Sequence, residues 1–275
     1  FELRFLQSLT LGNYDGPRVI NSSIPNEISK LSELRELVML GYGGSIPSSV
    51  GSLTKLQVLR LVAGRLTGNI PDSIGNLGQL TKLSLVGNKL SGGIPQSFAR
   101  LTNLVSLGLG TNKLSGKFPN FVFNFPNLET LSVDHNLFEG FIPRNIRPDS
   151  KLQDLSLENN KFSGIIPAWL FTGSVRRIWM QNNNFNGPIE PYRVPSVSFL
   201  TVVNLSYNSL RGPLPLATPN SQSMDLSHNQ FTGTIPMNYC NIENLSLMFN
   251  KISVDSCEQF KKMCNNSNKD MSFVC

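Results

Sequence analysis

The stretch "LTKLSLVGNKLSGGIP", residues 80–95, contains the pattern that decides the fold of this chain. Counted from Leu80, apolar residues stand at +3 and +5, asparagine at +8, glycine at +12 and proline at +15. The same frame starts 24 residues earlier at Leu56 and recurs in 24-residue steps from Leu104 to Leu152. Repetition at such a period predicts a solenoid, in which each repeat buries its apolar face against its neighbours.

The frame extends in both directions to about eleven repeats. They start at Leu6, Leu34, Leu56, Leu80, Leu104, Leu128, Leu152, Val175, Leu200, Ser221 and Ile242. Apolar residues at +3 and +5 predict a short half-buried β-strand. A buried asparagine at +8 can satisfy backbone groups of neighbouring turns, so stacked repeats predict an asparagine ladder. We expect residues 1–252 to form the solenoid and residues 253–275 to form a cysteine-containing C-terminal cap.

The pattern resembles LxxLxLxxNxLxGxIPxxLxxL, which is typical of plant extracellular leucine-rich repeat proteins, over roughly residues 6–252. Its ending recurs as "LTGNIP", "LSGGIP", "LSGKFP", "FEGFIP", "FSGIIP", "LRGPLP" and "FTGTIP". The family includes ectodomains of receptor kinases and receptor-like proteins, and secreted polygalacturonase-inhibiting proteins. The resemblance implies an α/β repeat solenoid: a curved, right-handed superhelix with a concave parallel β-sheet and short 3-10 or turn segments on the convex side.

The resemblance also implies an extracellular, secreted or cell-wall location and binding without catalysis or a cofactor. Family members usually begin with a helical cap that carries a cysteine pair, and this sequence opens on "FELRFLQSLTL" instead. We interpret the chain as a processed or truncated product. A solenoid without a cap exposes core surface, so we expect a possible docking partner at the N-terminal end.

Composition narrows the classes of partner. Hydrophobic residues make up 40% of the 275 residues and charged residues 15%, which is enough apolar content for a core. The formal charge is +6, and the cations are scattered without long runs, so nucleic acid is not a predicted partner. The sequence has no apolar stretch of about 18 residues, so we expect no membrane span.

The segment "SVDSCEQFKKMC" near the C-terminus is typical of a helix, with Asp255 or Ser256 as its N-cap. Seven residues separate Cys257 from Cys264, which corresponds to about 10 Å along a helix axis. That distance exceeds the reach of one disulfide, so each cysteine should pair outside the helix.

All four cysteines lie near the C-terminal end, and their even number predicts two disulfides. We favour Cys240–Cys257 with Cys264–Cys275, and Cys240–Cys264 with Cys257–Cys275 remains open. The gaps between these cysteines lack the close pairs of zinc sites, so no metal is predicted.

Four sequons provide candidate glycosylation sites: Asn21, Asn204, Asn244 and Asn265. Asn21 lies in the expanded first loop and is the best candidate. Asn204 and Asn244 lie beside strand leucines, and a glycan at Asn204 would occupy the concave face.

Strand positions that point away from the core form columns when repeats stack. In repeats three to five these columns hold small residues, and in repeats six to ten they hold polar and aromatic residues. We predict one connected ligand-binding patch there, formed by Asp134, His135, Glu158, Arg176, Trp179, Gln181, Asn182, Tyr207 and Asp225. Tryptophan and tyrosine are frequent at binding hot spots. The alternative for Trp179 is that it packs on Tyr207 or on Arg177.

A second candidate surface is a basic edge at position +9, formed by Arg65, Lys89, Lys113, Lys161 and Lys251. Such a row could meet an acidic polymer such as pectin, or an acidic protein. The alternative is that lysine here only keeps the turns soluble.

The sequence favours an extracellular recognition module for a peptide or protein over an enzyme. The two histidines, His135 and His228, occupy a variable column position, and an open face offers no cleft that excludes water. Two other functions remain: a secreted inhibitor that binds a polygalacturonase or pectin, and a structural cell-wall or assembly subunit. Ice binding occurs in one branch of such proteins and needs a flat, regular face, which the mixed columns argue against.

Overall fold

The computed structural model describes residues 3–12, 22–192 and 199–264. The chain divides into two compact units. Unit 1 comprises Phe1–Glu139 and Arg147–Lys151, and unit 2 comprises Gly140–Ile146 and Leu152–Cys275. Each unit is built from short parallel strands and short helices, and unit 2 also contains a ten-residue α-helix.

The strands in chain order are β1 (Ser8–Leu11), β2 (Glu36–Leu40), β3 (Gly43–Ser45), β4 (Val58–Val62), β5 (Arg65–Asn69), β6 (Lys82–Ser84), β7 (Lys89–Gly92), β8 (Ser106–Gly108), β9 (Lys113–Lys117), β10 (Thr130–Ser132), β11 (Leu137–Phe141), β12 (Asp154–Ser156), β13 (Lys161–Gly164), β14 (Arg177–Trp179), β15 (Asn184–Gly187), β16 (Val202–Asn204), β17 (Ser209–Pro213), β18 (Ser223–Asp225), β19 (Gln230–Thr232) and β20 (Asn244–Ser246).

The described residues contain two α-helices and a set of short 3-10 helices. The α-helices are α1 (Trp169–Thr172) and α2 (Val254–Met263). The 3-10 helices are Leu3–Phe5, Asn26–Lys30, Ser48–Ser52, Asp72–Asn76, Gln96–Arg100, Asn120–Asn124 and Met237–Asn241. Among the described residues, no helix has the length and apolarity needed to cross a membrane.

The first sheet contains the strands that open each repeat. In unit 1 these strands pair in the order β1-β2-β4-β6-β8-β10, and in unit 2 in the order β12-β14-β16-β18-β20, all parallel. The +3 and +5 side chains, such as Leu83 and Leu85, are buried in the core. The parallel strands, the turns between them and the buried apolar face confirm the predicted α/β repeat solenoid class.

A second sheet was missing from the sequence-based prediction. In unit 1 it contains β3, β5, β7, β9 and β11, and in unit 2 it contains β13, β15, β17 and β19, again parallel. These strands begin at repeat position +9. A turn at a left-handed glycine, such as Gly116 with φ of +84°, interrupts or ends most of them.

The predicted asparagine ladder is confirmed. The amide of Asn88 donates to the carbonyls of Leu61 and Leu85, and its oxygen accepts the N–H of Leu66. The N···O distances are 2.8, 3.0 and 3.2 Å. Asn112, Asn136, Asn183, Asn208, Asn229 and Asn250 make the same kinds of bond. Each ladder asparagine therefore ties its repeat to a neighbour.

The residue before the ladder asparagine, at position +7, lies in the left-handed region. Ala63, Thr111, His135, Asn159, Asn182, Tyr207, His228 and Phe249 all have φ between 50° and 55°. Non-glycine residues rarely adopt this conformation, since it brings Cβ close to the backbone. The turn thus directs the +7 side chain outward, at the end of each first-sheet strand.

The C-terminal helix corrects two predictions. Its N-cap is Ser253, whose hydroxyl accepts the N–H of Ser256, so the predicted cap at Asp255 or Ser256 is wrong. The favoured disulfide pairing is also wrong, because Cys240 pairs with Cys264 at a Cα–Cα distance of 5.5 Å.

The second disulfide involves Cys257, which lies on the same helix. The fourth cysteine of the chain, Cys275, lies outside the described residues. Cys257 and Cys264 are seven residues apart and do not pair with each other, as the helix spacing predicted.

Glu190 stands where the repeat pattern calls for proline, and the structure explains this departure. Its carboxylate accepts the N–H of Ala168, at the start of α1 in the preceding repeat, with an N···O distance of 3.1 Å. Tyr192 stacks on Phe171 with ring centroids 4.8 Å apart and donates its hydroxyl to the carbonyl of Leu216. Glu190 and Tyr192 therefore bind this part of the chain to the preceding and the following repeat of unit 2.

Candidate functional site

The candidate site lies on the open face, defined as the surface of the first sheet formed by the outward positions +2, +4, +6 and +7. Asp134 and His135 lie on this face in unit 1. The other seven candidates, Glu158, Arg176, Trp179, Gln181, Asn182, Tyr207 and Asp225, belong to unit 2. The single connected patch across both groups stays a prediction.

Polar side chains at +6 and +4 are held by a serine two residues away on the same strand. The hydroxyl of Ser132 donates to Asp134 at 2.5 Å, and that of Ser156 donates to Glu158 at 2.6 Å. The Nδ1 atom of His135 lies 3.2 Å from a carboxylate oxygen of Asp134. These bonds fix the carboxylates in orientation, so they present a defined acceptor surface to solvent.

The same arrangement recurs at Asp225. One of its carboxylate oxygens accepts both the N–H and the hydroxyl of Ser227, at 3.0 and 2.7 Å. Within the described parts of the chain, its second oxygen has no hydrogen bond. Asp225, Ser227 and His228 are the three residue types of a hydrolase catalytic triad. The hydroxyl of Ser227, however, donates to the carboxylate of Asp225 and not to His228.

Trp179 is half-buried and packs on Arg177, which is one of the two neighbours predicted by the alternative to ligand binding. The guanidinium carbon of Arg177 lies 5.5 Å from the centroid of the indole. Arg177 also makes two hydrogen bonds to Asp154, at 2.6 and 2.7 Å, and these bonds raise its pKa above its usual range. The indole is therefore held by a cation that is itself fixed by a carboxylate.

Tyr207 stacks on His228 instead of on Trp179. The ring centroids are 3.9 Å apart, and His228 stacks in turn on Phe249 at 4.2 Å. Tyr207 and Phe249 are 53% and 65% exposed, so the three rings form an aromatic stack on the open face. All three stand at the left-handed +7 position, and the same conformation at +7 in other repeats shows that it belongs to the repeat turn.

Arg176 lies at the edge of the open face, beside a groove of about 400 Å³. Its guanidinium carbon is 5.5 Å from the ring centroid of Phe199, which is 49% exposed. Thr201, Gln222 and Glu243 line the same groove. The groove offers a cation, an apolar ring and a carboxylate to one ligand.

Gln181 and Asn182 follow Trp179 along the chain. The side-chain oxygen of Gln181 is buried and has no hydrogen-bond partner among the described residues. Asn182 is exposed, at a φ of 55°. A donor from a ligand would satisfy the Gln181 oxygen, which otherwise carries a desolvation cost of roughly 1–3 kcal/mol.

The residues of the basic edge are all exposed. Arg65, Lys89 and Lys113 begin strands of the second sheet in unit 1, and Lys161 does so in unit 2. Lys251 donates to the amide oxygen of Gln230. The edge therefore follows the second sheet and is separate from the open face.

Two of the four sequons lie within the described residues. Asn204 belongs to β16, and its oxygen accepts both the N–H and the hydroxyl of Ser206, the serine of its own sequon. Asn244 is exposed in β20. Asn21 and Asn265 lie outside the described residues.

Sequence reasoning left Asp154, His228 and Phe249 out of the site and named Arg177 only as an alternative neighbour of Trp179. Asp154 and Arg177 stand at +2, and the reasoning had passed over that position in choosing candidates. Phe249 stands in the same +7 column as Tyr207, so the column itself held the signal for the aromatic stack.

Comparisons with known proteins place the chain in a family. A family model for a leucine-rich repeat region matches residues 1–180. A second model, for the LRR domain of the EGF-like domain-containing protein ComC, matches residues 191–252. A search of the curated proteins found no match.

Among solved structures, a TDR receptor is 29% identical with a TM-score of 0.76, over 85% of this chain and 42% of that chain. The plant peptide hormone receptor RGFR1, in complex with RGF2, is 26% identical with a TM-score of 0.71, over 88% of this chain and 44% of that chain. A plant ice-binding protein is 24% identical with a TM-score of 0.72, over 90% of this chain and 83% of that chain, and shows the fold alone.

This chain spans less than half the length of either receptor structure. The first family model nevertheless matches well over half of this chain, and its repeats show the ladder, the glycine turn and the two sheets described above. The chain therefore belongs to the leucine-rich repeat family.

Proposed function

We propose that this chain is an extracellular, non-enzymatic recognition module that binds a peptide or protein on its open face. The observation that carries this proposal is the pair of immobilised aromatic groups in unit 2. Trp179 is held by Arg177, and Tyr207 is held by His228. Rigid, partly exposed aromatic rings lose little entropy on binding, so they are favoured anchors for a partner.

The resemblance to RGFR1 supports a peptide as the ligand, since that receptor was solved with the peptide RGF2. Fixed carboxylates such as Asp225 and the Arg176 groove would add polar contacts around the aromatic anchors. We assign orientation of the ligand to these polar groups and most of the affinity to the rings.

Replacing Trp179 and Tyr207 by alanine tests the proposal. The wild-type chain, immobilised, is used to isolate peptides from a plant extracellular extract, and the captured peptides are identified by mass spectrometry and synthesised. Each single substitution should weaken binding of a captured peptide by about 30-fold, since hot-spot truncations cost about 2 kcal/mol or more.

Phe141→Ala is the control, because Phe141 is an exposed aromatic residue on β11 of the second sheet, away from the proposed anchors. It should leave the affinity unchanged. If the peptide binds W179A and Y207A as tightly as the wild type, the anchors have been assigned to the wrong surface.

The exposed basic edge favours one alternative, a secreted inhibitor that binds a polygalacturonase or pectin. Arg65, Lys89 and Lys113 repeat at the same position in successive repeats of unit 1, and a row of cations suits an acidic polymer. Inhibition of a fungal polygalacturonase at micromolar protein would favour this alternative over peptide recognition.

A further inference from the structure

The groove beside Arg176 lies at the edge of the first sheet in unit 2, next to the open face and not on it. Its polar side chains come mostly from repeat position +1, so we call it the +1 groove. Backbone bonds join the successive repeats: the N–H of Thr201 donates to the carbonyl of Arg176, and that of Gln222 to Thr201, at 2.8 and 2.9 Å. Six lining residues carry the argument: Arg176, Phe199, Thr201, Gln222, Asn241 and Glu243.

The longer polar side chains of the +1 groove end in planar groups. The guanidinium of Arg176 only donates hydrogen bonds, the carboxylate of Glu243 only accepts them, and the amides of Gln222 and Asn241 do both. All four side chains are exposed, and in the described parts of the chain none of them has a hydrogen bond or an ion pair. Neighbouring hydroxyls of a sugar ring both donate and accept, so one planar group can bind two of them.

Phe199 provides an apolar surface in the same groove. Its ring is 49% exposed, and the guanidinium carbon of Arg176 lies 5.5 Å from the ring centroid. The cation holds the ring in place and leaves about half of the side chain accessible. A sugar ring has apolar C–H faces between its hydroxyls, and such a face can stack on an aromatic ring.

The charge of the lining favours a neutral ligand. Arg176 and Glu243 are the charged side chains among the described lining residues, and their charges cancel. The apolar side chains are Phe199 and Pro219, so the groove offers little burial to apolar peptide side chains. Because peptide affinity depends on such burial, this lining suits a neutral ligand rich in hydroxyls better than a peptide.

We propose that the +1 groove binds an uncharged oligosaccharide. One sugar ring stacks on Phe199, and the planar groups of Gln222, Asn241 and Glu243 bind hydroxyls of the following rings. Arg176 and Glu243 are three strand steps of about 4.8 Å apart, so the lining extends over about 14 Å, which is longer than one sugar ring. This inference goes beyond the peptide recognition proposed above, because it assigns another ligand class to a groove beside the aromatic anchors.

Isothermal titration calorimetry of the full chain with neutral hexasaccharides tests the proposal. The probes are cellohexaose, mannohexaose and xylohexaose, and acidic hexagalacturonate is the comparison. At least one neutral probe should bind with a millimolar or lower Kd and more tightly than hexagalacturonate. Absence of binding by all three neutral probes, or tighter binding of hexagalacturonate, would overturn the proposal.

Substitutions in the groove locate the bound saccharide. Phe199→Ala should weaken binding of the preferred probe by about threefold to tenfold, and Q222A/N241A should weaken it by at least as much. Phe141→Ala removes an exposed aromatic ring on β11 and should leave the affinity unchanged. If F199A and Q222A/N241A both fold, by circular dichroism, and both bind the probe like the wild type, the saccharide lies elsewhere and the assignment is wrong.

Glu243→Gln distinguishes a saccharide from a basic peptide as the occupant. The amide keeps the shape of the carboxylate and one acceptor oxygen, so saccharide affinity should stay within about threefold. A dodecamer of lysine and serine in alternation is the peptide probe. If it binds the wild type more tightly than every neutral saccharide does and loses that affinity in E243Q, the groove selects positive charge and the proposal fails.

The variant W179A/Y207A separates this inference from the proposed function. It should bind the preferred saccharide like the wild type, because it leaves the lining of the +1 groove unchanged. Loss of saccharide binding in this variant would place the sugar on the aromatic anchors and overturn the groove assignment. Loss of peptide binding alone supports the proposed function and leaves the saccharide assignment intact.

Discussion

Single positions of the repeat are decided by backbone conformation as much as by side-chain chemistry. Position +12 requires a positive φ, and glycine occupies it because a Cβ there is strained. Position +7 requires the same conformation, yet it carries alanine, threonine, tyrosine and phenylalanine. The repeat turn therefore tolerates the strain of non-glycine residues at +7.

Alanine substitutions at Gly116 and Gly78 would distinguish the cost of backbone strain from the cost of steric crowding. A Cβ added at either would meet nothing within 4 Å, but only Gly116 has a positive φ, of +84°. We expect Gly116→Ala to lower the free energy of unfolding by about 1–2 kcal/mol. Gly78→Ala should raise it by about 0.4–1 kcal/mol, through the lost entropy of the unfolded chain.

Urea unfolding followed by circular dichroism measures both changes. If the two alanine variants shift the free energy of unfolding in the same direction and by the same amount, positive φ is not what selects glycine at +12.

For the residues of the candidate site, the sequence predicted the face on which each side chain lies better than it predicted the residues that each side chain contacts. The period placed Trp179 and Tyr207 on the open face, because position within a repeat determines direction. It offered Arg177 only as one of two alternative neighbours of the Trp179 indole, and it did not predict that His228 covers the phenol ring of Tyr207. Those contacts join residues of the same or adjacent repeats whose identities vary freely, so no periodic signal marks them.

At the scale of elements, the first sheet was predictable and the second was not. Leucines at +3 and +5 mark the first-sheet strands through alternating burial. The second-sheet strands have sequences such as "KLSGK", with one buried leucine between polar residues and glycine. Their hydrogen bonds run to the neighbouring repeats, so a single repeat does not reveal them.

The C-terminal disulfides were equally beyond sequence reasoning. Four cysteines at irregular gaps allow three pairings, and helix spacing removes only one of them. The choice between the remaining two depends on which cysteine of α2 faces Cys240, which is Cys264.

Tryptic mapping tests this pairing, because Lys251, Lys261 and the residues around them place the four cysteines on different peptides. Non-reducing digestion should yield a species that joins residues 212–251 to residues 263–269. A species joining residues 212–251 to residues 252–261 would instead support Cys240–Cys257 and contradict the structure. Digestion after reduction and alkylation is the control, since it should release all four peptides separately.

For the molecule as a whole, the half-buried phenol of Tyr192 and the buried phenol of Tyr239, both in unit 2, link stability to pH. Burial raises the pKa of Tyr192 well above its usual value of 10, and burial with the nearby Tyr192 raises that of Tyr239. The hydroxyl of Tyr239 donates to the carbonyl of Pro215, as that of Tyr192 does to Leu216. Both groups stay neutral in the folded chain at a pH where the unfolded chain ionises.

The sign of the effect follows from the raised pKa values. Their contribution to stability is fully present below pH 10 and is lost as pH rises through the folded-state pKa values. Above about pH 10, each tyrosine should therefore lower the free energy of unfolding by up to about 1.4 kcal/mol per pH unit.

Urea titrations at a series of alkaline pH values measure this slope. The variant Y192F/Y239F loses two hydrogen bonds and some stability at neutral pH, but its slope above pH 10 should be shallower than that of the wild type. An unchanged slope would show that other groups cause the alkaline loss. A spectroscopic titration of the phenols in concentrated urea provides the unfolded reference.

The aromatic stack also gives His228 proton signals that would report on ligand binding in an NMR spectrum. The imidazole of His228 lies between the faces of Tyr207 and Phe249, so the ring currents of both neighbours shield its protons. The chain has only two histidines, so two imidazole signals are to be assigned in a proton spectrum. A ligand that displaces either outer ring would move the His228 signal, and its arrival on the open face would be visible without any label.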